Sequence, residues 1–163
     1  GTNTAYAGMW PHNSDGCVMQ FNELYENRLG AGDGQGLDVD INCNDTLVQY
    51  NYSHDNEGGF LLVCTDGETG HYNRGTVVRY NISRNDRNSL VTIKGIEVTG
   101  LQVYNNTFIT DFGYPAGTIS TCCGAATTRC LPTTCSWTRR RRPPGSWTPR
   151  TGRGTLGITG GWS

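Results

Sequence analysis

Cys17-Val-Met-Gln-Phe-Asn22, Thr46-Leu-Val-Gln-Tyr-Asn51, Thr76-Val-Val-Arg-Tyr-Asn81 and Gly100-Leu-Gln-Val-Tyr-Asn105 decide the fold, because they are one pattern written four times. Each is a short apolar or β-branched run ending in an aromatic followed by Asn, and the Asn residues stand 29, 30 and 24 positions apart. Five residues past the first three come Asn27, Asn56 and Asp86, a second polar row. A period of this size marks a supersecondary unit that stacks on copies of itself. The runs are short, rich in Val, Ile, Tyr and Thr and broken by Gly, Asn and Asp, so the units are strands rather than helices.

Further runs at Leu37–Ile41, Gly59–Cys64 and Leu90–Lys94 give each period two or three short strands. The expected class is all-β: a parallel β-helix of about four to five coils, each ~4.8 Å above the last. It should occupy residues 16–119, after a lead-in segment at 1–15 and before an irregular or disordered stretch at 120–163. Stacking sets like side chains above one another. Asn suits the turn because it tolerates the left-handed region and its amide bonds the amide above. The aromatic before it is expected to stack along the core. A sandwich or barrel does not usually repeat an aromatic–Asn pair at this longer period.

Residues 16–111 resemble the right-handed parallel β-helix proteins of the pectate-lyase-like superfamily. The resemblance is carried above all by Asp33-Gly-Gln-Gly-Leu-Asp-Val-Asp-Ile-Asn-Cys43 running on to Tyr50-Asn-Tyr-Ser-His-Asp-Asn-Glu-Gly-Gly-Phe60. It implies a secreted or extracellular carbohydrate-active protein, often a lyase or a glycoside hydrolase. The fold itself hosts several chemistries and some non-enzymes.

Composition fits one domain and splits it. The chain has 163 residues, 35% of them hydrophobic, and the longest apolar stretch is far too short to span a bilayer. The formal charge of −1 is a cancellation. Residues 1–111 hold all 14 acids against six basic residues, a net −8, whereas residues 112–163 hold seven Arg and no acid. All 14 Asn lie at or before Asn106, but four of the seven Cys follow it.

The second part reads as out of frame. Cys122–Thr138 can be spelled in codons that, started one base earlier, give Val-Leu-Arg-Gly-Ser-Asp-Asn-Pro-Val-Leu-Ala-Asn-Asn-Val-Phe-Val-Asp. This hidden text places Asn-Asn-x-Phe, as in Tyr104-Asn-Asn-Thr-Phe108, where the next coil is due. A one-base shift near Ile119–Thr121 accounts for it. The rival readings are a basic tail at Arg139–Arg142 and a metal site. Cys122, Cys123, Cys130 and Cys135 lack the paired spacing of a zinc site. No nucleic acid, membrane or metal partner is expected. The chain opens Gly1-Thr-Asn with no charged or apolar leader, and is expected to be a piece of a longer, monomeric solenoid. Cys17, Cys43 and Cys64 are expected as buried thiols rather than a disulfide framework.

Asp38 and Asp40 stand at i, i+2 on one strand, so both face one way, with Leu37, Val39 and Ile41 inward. That face should be wet. Asp55 and Glu57 are expected about one coil up. Paired carboxylates are what glycosidic cleavage needs, one protonated and one as nucleophile or base. Asp38, Asp40 and Glu57 are therefore the catalytic candidates, and plain solvated surface is the competing reading. Trp10, His12, His54 and Asp55 are the candidate substrate contacts. Trp10 stacks on a sugar or caps the core; His54 orients an acid or is an exposed loop residue; His71 is a loop residue.

A calcium-dependent uronate lyase would instead use Asp38, Asp40, Asp55 and Glu57 for Ca²⁺, with Arg79, Arg84 or Lys94 as base. Otherwise no cofactor is expected. The −8 favours a neutral polysaccharide over a polyanion. A non-catalytic glycan-binding or adhesive solenoid is the remaining alternative. Sequons occur at Asn44, Asn51, Asn81 and Asn105, three of them at repeat positions that explain them without glycosylation.

Overall fold

The computed structural model describes residues 6–30 and 32–110, together with the strand backbones 119–122, 127–130 and 136–139. Every strand in it pairs in parallel with the strand one coil away. The first partial coil carries β1 (Val18–Gln20) and β2 (Glu23–Tyr25). The next holds β3 (Gln35–Val39), β4 (Cys43–Asn44), β5 (Leu47–Gln49) and β6 (Tyr52–His54). Then come β7 (Gly59–Cys64), β8 (Asn73–Arg74), β9 (Val77–Arg79) and β10 (Ile82–Arg84), and after them β11 (Ser89–Lys94), β12 (Val98–Tyr104) and β13 (Thr107–Thr110). β14 (Ile119–Cys122), β15 (Thr127–Cys130) and β16 (Ser136–Arg139) extend the stack in backbone.

These strands form a parallel β-solenoid with three sheets. The first is β3, β7, β11 and β14; the second carries β1, β5, β9, β12 and β15 with the short β4 and β8; the third is β2, β6, β10, β13 and β16. About three complete turns, residues 35–110, are described with their side chains, against the four to five coils expected. Among the described residues there is no helix, and so none long and apolar enough to cross a membrane. The remainder of the 120–163 stretch, with the rest of its Arg run at 140–142, lies outside the described residues.

Alternation builds the core. Leu37, Leu61 and Val91 form one inward column and Val39, Val63 and Ile93 another. Val48, Val78 and Val103 face them from the second sheet, and Leu24 and Phe108 from the third. Each such side chain contributes about 1.5–3 kcal/mol by leaving water. The middle rungs of the third sheet are Ser53 and Ser83, and both donate to Asp86 Oδ2 at 2.7 Å. Asp86 Oδ1 accepts from Asn56 N at 3.1 Å and Asn56 Nδ2 at 2.8 Å, so this buried carboxylate has four donors.

Two Asn ladders run along the stack. In one, Asn22 Nδ2 donates to Asn51 Oδ1 at 3.0 Å, Asn51 Nδ2 to Asn81 Oδ1 at 2.9 Å, and Asn81 Nδ2 to Asn106 Oδ1 at 2.9 Å. In the other, Asn27 Nδ2 donates to Asn56 Oδ1 at 2.6 Å, and Asp86 ends the row. The fourth rung is thus Asn106 and not Asn105, which corrects the spacing read from sequence.

The aromatic–Asn pair is also inverted relative to expectation. Phe21, Tyr50 and Tyr80 take the positive φ at the corner (58°, 54° and 55°), and Asn105 takes it in the fourth coil at 53°. The left-handed corner turns that side chain outward and sends the following Asn inward. The aromatics therefore stack outside the solenoid: Phe21 is 75% exposed, and the Phe21–Tyr50 and Tyr50–Tyr80 ring centroids are each 5.5 Å apart at 7°. Three sequons meet this geometry differently. Asn51 and Asn81 are buried with their amides engaged, whereas Asn105 sits at the corner.

Candidate carboxylate–thiol site on the first sheet

The outer face of the first sheet carries two columns of unlike side chains. Met9 pairs with Leu37, and the backbone N–H groups of Asp38 and Asp40 donate to the carbonyls of Met9 and Pro11. Trp10 therefore lies one coil below Asp38, with Leu62 and Thr92 above it. Extending the same register by one residue puts His12 below Asp40, then Cys64 and Lys94 above.

The second column is a chain of contacts. His12 Nδ1 lies 3.1 Å from Asp40 Oδ2. The Cys64 thiol donates to Asp40 Oδ1 at 3.4 Å and, more weakly, to Asp38 Oδ1 at 3.8 Å. Asp40 Oδ1 also accepts from Ile41 N at 2.8 Å. One ligating atom each of Asp38, Asp40 and Cys64 falls within 4.8 Å of the others. Asp38 and Asp40 thus meet as expected, but the face is only partly wet, since Asp38 is 6% exposed.

That burial changes the chemistry. It pushes the Asp38 carboxyl up to about 8, and the negative charges of Asp40 and Asp33 add to it. At neutral pH Asp38 is a neutral acid. Burial likewise raises Cys64, followed by Asp38 and Asp40, while Lys94 pulls the other way; the thiol stays protonated.

A folded-state value of about 8 against an ordinary 3.8 means the native state holds its proton more tightly. This stabilising contribution is present below about pH 4 and is lost as pH rises to about 8. Asp38→Asn, which has no proton to lose, is expected to match or exceed the wild type in thermal stability above pH 8, with a relative gain that shrinks towards pH 4. Melting temperatures taken across that range check it; a pH-independent difference would remove the buried acid.

Trp10 is 46% exposed and stacks on Tyr6 at 6.0 Å and 21°. It does not cap the core. It presents an aromatic platform beside Asp38 instead.

The remaining candidates lie elsewhere. Glu57, at the corner after the third sheet, accepts from Arg28 Nη1 at 2.7 Å and Leu29 N at 3.0 Å, and the Arg28 hydrogen bond holds its carboxyl below the usual value. His54 is in strand β6 rather than in a loop. Its Nδ1 lies 2.8 Å from Asp55 Oδ2 and its Nε2 3.2 Å from Glu23 Oε1. It stacks on Tyr25 at 5.1 Å and Tyr52 at 4.6 Å. Burial works to lower its pKa, but the hydrogen bonds to Asp55 and Glu23 outweigh it and leave it raised. His71 is a loop residue, bonded to Asp66 at 2.7 Å. Of the basic residues considered for a lyase, Lys94 is the one on this face; Arg79 bonds Gln49 and Tyr104.

Cys17, Cys43 and Cys64 are free thiols, of which Cys43 is fully buried and Cys64 faces outward. Sequence reading missed Cys64 as part of the site. The signal for Cys64 was its even-numbered place beside Leu62 on a strand whose odd positions are core.

Fold and site together define a parallel β-solenoid with a carboxylate–thiol cluster on one outer sheet. No family model and no solved structure matches the chain. A lacto-N-biosidase of Bifidobacterium longum subsp. longum is 40% identical over 108 residues. The match covers 64% of this chain and 6% of that protein, so the chain spans a small part of the relative's length.

Proposed function

We propose that this chain is part of the catalytic solenoid of a secreted glycoside hydrolase with the right-handed, pectate-lyase-like form of the fold. A glycan carrying lacto-N-bioside units is the substrate. The partial identity to a lacto-N-biosidase supports the substrate class. The observation that carries the chemistry is the buried Asp38 carboxyl beside Asp40 on an outer sheet face.

In this reading Asp38 gives its proton to the departing glycosidic oxygen as Asp40 attacks the anomeric carbon. The Asp38 carboxylate then takes a proton from the water that frees the sugar. Close carboxyls, about 5–5.5 Å apart, favour this two-step route with retained configuration over the wider spacing of single displacement. One oxygen of Asp38 and one of Asp40 lie within 4.8 Å of each other, on the close side of that range. His12 holds Asp40, and Trp10 stacks on a sugar ring. The −8 of residues 1–111 suits a neutral glycan. A calcium lyase would ask about six to eight oxygen ligands, whereas this cluster offers two carboxylates and a sulfur.

The test is hydrolysis of a chromogenic lacto-N-bioside with the product anomer read by proton NMR. The expected outcome is retained configuration, with kcat falling as pH rises through about 8 when Asp38 loses its proton. Glu57→Gln should keep wild-type turnover. Inverted product, or no turnover on any neutral glycoside, would sink the proposal.

A further inference from the structure

We propose that Cys64 is a positioning residue of the hydrolase, a single S–H donor shared by the two carboxyls that points to Asp40 before the first chemical step and to Asp38 after it. The proposal rests on the hydrolase reading above and adds a third residue to it. Cys64 follows Val63 in β7, and the pairing of Val63 with Val39 sets it one coil above Asp40. Its sulfur lies 3.4 Å from Asp40 Oδ1 and 3.8 Å from Asp38 Oδ1. Turning the S–H about the Cβ–Sγ bond therefore exchanges one acceptor for the other without moving a heavy atom.

The reaction moves a charge between those two acceptors. Before it, Asp40 is the carboxylate, held through Oδ1 by Ile41 N at 2.8 Å and by the thiol, and through Oδ2 by His12 Nδ1 at 3.1 Å. Once Asp40 is bonded to the anomeric carbon and Asp38 has given its proton to the leaving oxygen, Asp40 is a neutral ester and Asp38 is the anion. Asp38 is 6% exposed, with the adjacent Val39 amide as backbone support, and an anion so buried needs a further donor. The thiol supplies it. No bond to sulfur forms or breaks: burial, followed by the charges of Asp38 and Asp40, holds the proton on Cys64 and keeps it a donor. A thiol donates weakly, so it steadies Asp40 without quenching its nucleophilicity. Asp33, acting on Asp38, and Lys94, above Cys64 in the same column, influence the pair through charge, and both stay in every variant below.

The experiment compares wild type, Cys64→Ala and Cys64→Ser on two lacto-N-biosides. A dinitrophenyl leaving group departs without an acid, whereas an alkyl leaving group needs the Asp38 proton. In Cys64→Ala, kcat/KM on the alkyl substrate should fall about 10-fold, because the Asp38 anion loses a hydrogen bond, while the dinitrophenyl value stays unchanged. Without that donor the Asp38 carboxylate is the less favoured form, so its titration should move above the wild-type value of about 8. The alkaline limb of kcat/KM should move up with it. Carbon-13 NMR of labelled Asp carboxyls, with the Asp38 signal assigned by its absence in Asp38→Asn, reads that titration without substrate. Cys64→Ser keeps a donor and should stay near wild type on every readout. If Cys64→Ala does not fold, Cys64→Val fills the space of the thiol without a donor and gives the same comparison. Equal loss on both substrates marks a merely structural residue and overturns the proposal, as does a serine variant as slow as the alanine one. The two readings fail differently: absence of wild-type turnover overturns the hydrolase, whereas an unmoved Asp38 titration overturns the shared donor whatever the activity.

Discussion

Asn81→Ala is expected to remove about 4 kcal/mol of stability, from several buried groups at about 1–3 kcal/mol each. Asn81 is 1% exposed. Its Oδ1 takes both the backbone N–H and the side-chain amide of Asn51, at 3.0 and 2.9 Å. Its Nδ2 serves Val48 O and Arg79 O, each at 3.0 Å, and Asn106 Oδ1 at 2.9 Å. Alanine abandons donors on the coil below and acceptors on both sides. Domains of ordinary stability have about 5–15 kcal/mol in all, so the variant should lose between about a quarter and four-fifths of its stability. Tyr80→Ala, one residue earlier, is the contrast: Tyr80 points out of the stack and is 43% exposed, and its loss should cost at most about 1 kcal/mol. Urea denaturation of the two variants decides it; similar midpoints would refute the ladder as a stabilising device.

Asp40→Asn is expected to lower kcat by roughly 10²–10⁴-fold while leaving KM near its wild-type value. The amide keeps the size and much of the hydrogen bonding to Ile41 N and His12, so folding should survive. What it lacks is the negative charge that attacks the anomeric carbon. Asp40→Ala makes the sharper experiment, because it leaves space for an added anion. Azide should then restore turnover, attacking in place of Asp40 while Asp38 still protonates the leaving oxygen, and give a glycosyl azide of inverted configuration. Unchanged turnover in Asp40→Asn would remove Asp40 from the reaction.

The two outcomes bear on different levels of legibility. The Asn51–Asn81 rung was readable because a stacked solenoid repeats in sequence what it repeats in space. Its polarity was not: which of Tyr80 and Asn81 enters the core depends on the sign of φ at the corner, and Tyr80 sits at 55°. An aromatic in the left-handed region is uncommon enough that propensity assigns that place to Asn. The slip from Asn105 to Asn106 has the same origin. The fourth coil puts an Asn in the left-handed position, so the aromatic marks the wrong residue there.

The sequence by itself determined a parallel β-solenoid, its strand positions on the first sheet, and the shared face of Asp38 and Asp40, because period-two alternation within a strand and a longer period between coils are local regularities. The tertiary structure alone decided what those carboxylates meet. Cys64 and His12 reach Asp40 from coils 24 and 28 residues away, Asp38 is buried beside them, and Glu57 is drawn off to Arg28. Stacking register places side chains from neighbouring coils in contact, and a carboxyl's proton affinity depends on the burial and charge found there, neither of which is written in the order of residues along one strand.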